Sequence, residues 1–257
     1  MQDGIYINDL NYVVGDENYR VNQYITVYNP TVEEIRLFGE DLYNYVLSLF
    51  ARRPYDIAIE LDDLHIDYQS IDEYDLFVQS ASSIPIEYSC ILFGKVDFTR
   101  FELWYVKETG EKILVSKDDH NFKIDRVIYL HILQCLRKIN FLSEKVEYDM
   151  GNAAGKRFLL ERMRRKRKKY LRDIELGKIK KTSNIATMII FCVNNSNFNY
   201  NYESVQKIKI SMLYSSFYFI SHKEERSEVI SGVYFGTVDT KKMKDKDILL
   251  RIPDLHK

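Results

Sequence analysis

Charge is sorted along this chain, and the sorting limits what it can fold into. Residues 1–150 carry 27 Asp/Glu against 14 Lys/Arg, while residues 151–257 carry 11 against 23. The formal total of −1 therefore hides an acidic block followed by a basic one. Within the second block, residues 156–181 hold 13 Lys/Arg and only three acids. Charges at that density cannot enter a core unpaired, so this segment must stay in water or face carboxylates. Between Asp56 and Asp75 the first block offers eight carboxylates and no Lys or Arg. Such asymmetry points to partners: an acidic surface, a polyanion, or the chain's own other half.

The remaining composition favours a folded protein. Apolar residues make up 46% of the 257, and four Pro and ten Gly leave little room for flexible linkers. A length of this order allows one large domain or two modest ones. The small-residue stretch Gly151-Asn152-Ala153-Ala154-Gly155 separates the charge blocks, which places an acidic domain at 1–150 and a basic one at 151–257. The predicted fold class is α+β: small β elements and a hairpin in the acidic part, mainly α-helix in the basic part. The N-terminus lacks a signal-peptide pattern, and no apolar run reaches the ~20 residues of a membrane span. Cytoplasmic synthesis is the expectation.

Local signals supply the elements. Tyr24 to Tyr28 is a β-rich run. Thr31 with Glu34 forms a capping-box pattern that opens one amphipathic helix over 33–51, ended by Arg53-Pro54. Two short acidic helices are expected at 55–61 and 70–80, the second capped by Ser70, and an irregular apolar stretch over 84–97. Phe101–Lys107 and Lys112–Lys117, joined at Thr109-Gly110, read as a hairpin. Asp125 caps a helix over 126–139, and Ser183 caps another over 185–193. The basic segment 156–181 reads as a long solvated helix with an apolar grip at each end, the distal one including Tyr170, Leu171 and Ile174. Residues 203–226 are helical by pattern. For 228–238 helix and strand remain open, and 232–236 reads as a tight turn.

No catalytic or metal-binding pattern stands out. Cys90, Cys135 and Cys192 each sit in an apolar run, where inert core thiols belong, and form no CxxC pair. The five histidines make no HxH or HExxH, and GxSxG, GxxxxGK[ST] and GxGxxG are all missing. The acidic cluster lacks the alternating ligands and central Gly of a calcium loop, so it reads as a solvated face. No cofactor, metal or small-molecule substrate is expected. The candidate binding residues are the cations Arg162, Arg164, Arg165, Lys166, Arg167, Lys168 and Lys169, with Tyr170 beside them. Their residue types suit an acidic protein surface, or phosphates bound without sequence preference.

The order of elements in the second half resembles a known group of proteins. A Lys/Arg-dense helix precedes a short apolar helix (184–193) and the phrase Asn195-Ser196-Asn197-Phe198-Asn199-Tyr200-Asn201-Tyr202. A helix with Tyr214, Phe217 and Phe219 follows, then Gly232-Val233-Tyr234-Phe235-Gly236-Thr237-Val238-Asp239. This pattern is similar to tail-module proteins of tailed bacteriophages that infect low-GC Gram-positive bacteria, tail assembly chaperones among them. The resemblance covers roughly 150–257, with echoes over 98–139. It implies a non-enzymatic protein of the host cytoplasm that contacts other tail proteins or its own copies during assembly. One alternative is a permanent virion subunit of tail, baseplate or neck. Another is a nucleic-acid-binding module that uses helix 156–181.

Overall fold

The computed structural model describes residues 18–142, 152–178, 183–239, 243 and 247–249. It is an α+β protein in which helices dominate and the strands form two small antiparallel sheets. The first sheet pairs β1 (Tyr19–Arg20) with β2 (Thr26–Val27), a shorter strand than the β-rich run suggests. The Thr31/Glu34 capping box then forms as expected: the Glu34 backbone N–H donates to Thr31 Oγ1, and the Thr31 N–H donates to the Glu34 carboxylate.

The helix it opens is not continuous. α1 (Val32–Phe38) ends at Gly39, and α2 (Glu40–Ala51) starts immediately after it. Gly39 adopts φ 99° and ψ 121°, a conformation that L side chains resist, so the expected helix over 33–51 is broken in two. The chain then makes a 3-10 turn (Pro54–Ile57), the six-residue α3 (Ala58–Asp63) and a second 3-10 turn (Tyr68–Ser70). α4 (Glu73–Ala81) is capped by Asp72, whose carboxylate accepts from Tyr74 N–H, rather than by Ser70. The stretch expected to be irregular contains α5 (Ile86–Phe93), which ends at Gly94. Its apolar residues lie almost all round the helix, so no periodicity betrays it in the sequence.

The hairpin falls where the pattern places it. β3 (Phe101–Tyr105) pairs with β4 (Lys112–Ser116) in the register Phe101↔Ser116 to Tyr105↔Lys112. A third strand, β5 (Lys123–Ile124), adds to the far side of β4 and leaves β3 at the sheet edge. α6 (Arg126–Ile139) follows with Asp125 as its cap and runs over the predicted span.

The main core is aromatic and lies among α2, α4, α5 and α6. Phe50 packs on Phe93 and Phe98 at ring-centroid distances of 4.7 and 4.9 Å, and Phe77 stacks on Tyr129 at 4.5 Å. Two buried polar links fix the registry of these helices. Tyr43 Oη donates to Asn140 Oδ1 at 2.6 Å, and Arg137 Nη1 donates to the Ala51 carbonyl at 2.8 Å.

The same core continues across position 150. α8 (Asn184–Val193) and α9 (Ile210–Tyr234) contribute Ile185, Cys192, Ile210, Leu213 and Ile220 to it. Backbone bonds from Val32 N–H to the Ile208 carbonyl and from Ile210 N–H to the Pro30 carbonyl strap the start of α9 to the start of α1. Beneath that strap, Asn29 Nδ2 donates to Ser211 Oγ at 2.7 Å. α9 is helical to Tyr234, which decides the open choice for that part of 228–238. Gly236 (φ 71°) then turns the chain, with Thr237 and Val238 N–H bonded back to the Gly232 carbonyl.

Candidate functional site

The basic segment forms α7 (Ala153–Glu175), 23 residues long. Asn152 starts it by accepting the Gly155 N–H at 2.7 Å, so the small-residue stretch supplies a helix cap. The last three positions of the expected helix, 179–181, lie outside the described residues. Lys, Arg, Leu and Glu are good helix formers, but a helix this cationic needs something to hold it.

It lies against the acidic cluster of its own chain. Lys156 Nζ lies 2.6 Å from Asp67 Oδ2, Arg164 Nη2 lies 2.7 Å from Asp62 and 2.5 Å from Asp63, and Arg167 Nη1 lies 2.6 Å from Glu60. As residue number rises along α7 it falls along the carboxylates, so the two segments run antiparallel. Leu160 packs with Ala58, Leu61 and Tyr68 in an apolar cluster separate from the main core, with Met163 against its edge. The acidic residues expected as a solvated face are thus largely paired: Asp56 meets Arg137, Asp72 meets Arg126, and Asp75 meets Lys112.

Electrostatics reinforce the clasp. The Lys156 ammonium, helped by Gln69 N–H, holds the Asp67 carboxyl below its ordinary range. Hydrogen bonds to Asp63 and Asp62 raise the Arg164 guanidinium further above its already high value. A groove of about 600 Å³ runs between α7 and the α3 segment, lined in part by Asp62, His65, Asp67, Lys156, Arg157 and Arg164.

The candidate residues divide by helix face. Arg164 and Arg167 point inward to the clasp. Arg165 points outward and, among the described residues, pairs with Glu161 at 3.3 Å on its own helix. Arg162, Lys166, Lys168 and Lys169 are exposed and form no ion pair with any described residue. The proximal apolar grip forms, while Tyr170 and Leu171 of the distal one stand half exposed. Sequence reading also missed the exposed side of the hairpin. There Leu103, Trp104 and Tyr105 stand open on the edge strand, with Trp104 edge-on to His120 at a centroid distance of 5.3 Å.

The groups with chemical potential lie elsewhere and apart. Cys135 and Cys192 are buried as expected, but Cys90 is exposed, because its apolar run is a helix with an outer side. His131 is half-buried on α6, where desolvation lowers its pKa. His65 and His120 are exposed, His222 is partly buried, and His256 lies outside the described residues. Among the described residues, no group of three His, Cys, Asp or Glu side chains is placed to hold a metal ion. None of their helices is long and apolar enough to cross a membrane. No family model, curated protein or solved structure matches the chain.

Proposed function

We propose that this chain is a non-enzymatic docking protein of a bacteriophage tail module, acting through protein–protein contact while tails assemble in the host cytoplasm. One observation carries the reading. α7 satisfies its inner cations with the chain's own carboxylates and leaves an outward side on which Arg162, Lys166, Lys168 and Lys169 form no ion pair with any described residue. Unneutralised charge of one sign on a folded surface favours an oppositely charged partner and steers its approach. Leu103, Trp104 and Tyr105 on the free edge of β3 supply the kind of apolar and aromatic area that anchors interfaces. Support for the phage context comes from the sequence, whose pattern over roughly 150–257 resembles tail-module proteins.

The test is quantitative mass spectrometry of gradient-purified phage particles and of infected-cell lysate. The expected result is absence from particles, together with recovery from lysate bound to tail subunits. Recovery from lysate with no tail protein attached would refute the reading. Presence in particles at a fixed integer ratio to the tail tube protein would replace the assembly role with that of a permanent virion subunit.

A further inference from the structure

We infer that the outward face of α7 is a docking site for an acidic helix of a partner protein. The inference rests on the docking reading above and names the partner's chemistry. Arg162, Arg165, Lys169 and Arg172 follow one another at steps of three, four and three residues, so they share one face of the helix. The row spans ~15 Å at 1.5 Å per residue. Phe158, four residues before Arg162, continues the row and is 66% exposed.

The inner face of the same helix shows what such a row binds. There Lys156, Arg164 and Arg167 meet Asp67, Asp62, Asp63 and Glu60 on an antiparallel acidic segment, with Leu160 packed on Leu61 between the charges. The outer face carries a similar line of cations, Arg165 among them also touching the exposed Glu161, with one large apolar side chain, Phe158, at its start. Charge complementarity therefore selects a partner helix with carboxylates at three- and four-residue steps and one apolar residue to cover Phe158. A phosphate backbone would satisfy the cations but offers no apolar group for the Phe158 ring to pack against in the way Leu160 meets Leu61.

The experiment uses the full chain and a synthetic alanine-based helical peptide of roughly 20 residues, long enough to hold a helix in water. The peptide carries Glu at positions matching the row and one Leu; a scrambled peptide of equal charge and a DNA duplex of similar length serve as comparators. Binding is followed by fluorescence anisotropy at ~50 mM salt, where charge contacts are strong. The patterned peptide should bind more tightly than both comparators. The double reversal Arg165→Glu/Lys169→Glu should weaken it about tenfold or more, because each reversal turns an attraction into a repulsion. The swap Arg165→Lys/Lys169→Arg should retain it. Arg165 has an 83% exposed side chain, so these changes leave the fold intact, which circular dichroism verifies.

Three results would overturn the inference: no peptide binding, tighter binding of the duplex, or binding lost with Arg164→Glu/Arg167→Glu but kept in the outer-face reversal. The last would mean that the peptide displaces the chain's own acidic segment. Particle and lysate mass spectrometry does not depend on this face. A silent titration with tail subunits still co-purifying would remove the partner class and leave the docking reading standing.

Discussion

Replacing Leu160 with Ala should release α7 from the body without unfolding the protein. Leu160 is 8% exposed and sits at the centre of the small cluster with Ala58, Leu61 and Tyr68, apart from the main core. The substitution removes three buried carbons at ~0.8 kcal/mol each, or about 2.4 kcal/mol. That value lies near the low end for buried Leu→Ala changes, as suits a shallow site that can collapse around the loss. The ion pairs on either side cannot compensate: the side chains of Arg164, Asp62 and Asp63 are 40–63% exposed, and such pairs are screened by solvent and salt. An opening free energy lower by that amount raises the undocked population roughly 50-fold. Hydrogen exchange read by mass spectrometry measures this directly. Amides of α7 should exchange faster, while those of α6, whose Ile132, Leu133 and Leu136 lie in the main core, should keep their protection. Equal acceleration of both helices would show that α7 is part of the cooperative unit. Unchanged exchange in α7 would show that the apolar cluster is not what holds it.

Three further predictions concern the body. Tyr43→Phe deletes the only donor that the described residues give Asn140 Oδ1, inside a core where both residues are buried, and should cost about 1–3 kcal/mol in urea unfolding. A midpoint equal to the parent's would mean that the Asn140 carbonyl oxygen finds another donor. In a thiol titration at pH 8, Cys90 should react in the folded protein and all three cysteines only in denaturant, because burial pushes Cys135 up to about 12 and Cys192 up to about 11. Those raised values carry a sign for stability. Above pH 9 the unfolded thiols lose protons that the folded ones keep, so stability should fall as pH rises from 9 towards 11. A urea midpoint that rises between pH 8 and pH 10 would contradict the burial of these groups.

Three helix starts were legible in the sequence, because a cap is a local contact, although at 70–80 the cap proved to be Asp72 and not Ser70. Thr31, Asp125 and Ser183 each accept a backbone N–H three residues ahead, as their positions before apolar periodic runs implied. Yet the start of α8 also takes Asn184 and Ile185 N–H bonds to Glu40, a carboxylate 144 residues from Asn184, and nothing local announces it. Gly39 was harder still. One glycine in a helical pattern costs little in propensity, so only its φ of 99° distinguishes a break from a continuation. The exposure of Cys90 escaped notice because an apolar run does not declare which of its residues face outward.

For the site, residue content alone makes 156–181 cationic, helical in preference and impossible to bury whole. It also placed enough carboxylates in the first block to answer those charges. Which cations they answer depends on how the helix sits in the fold. Arg164 and Arg165 are adjacent and chemically identical, yet the first bonds Asp62 and Asp63 while the second faces water beside Glu161. Their difference is one of rotation about the helix axis. Composition and periodicity are indifferent to that angle, and it is set here by where Leu160 meets Leu61 and Tyr68, on a segment about a hundred residues away in the chain.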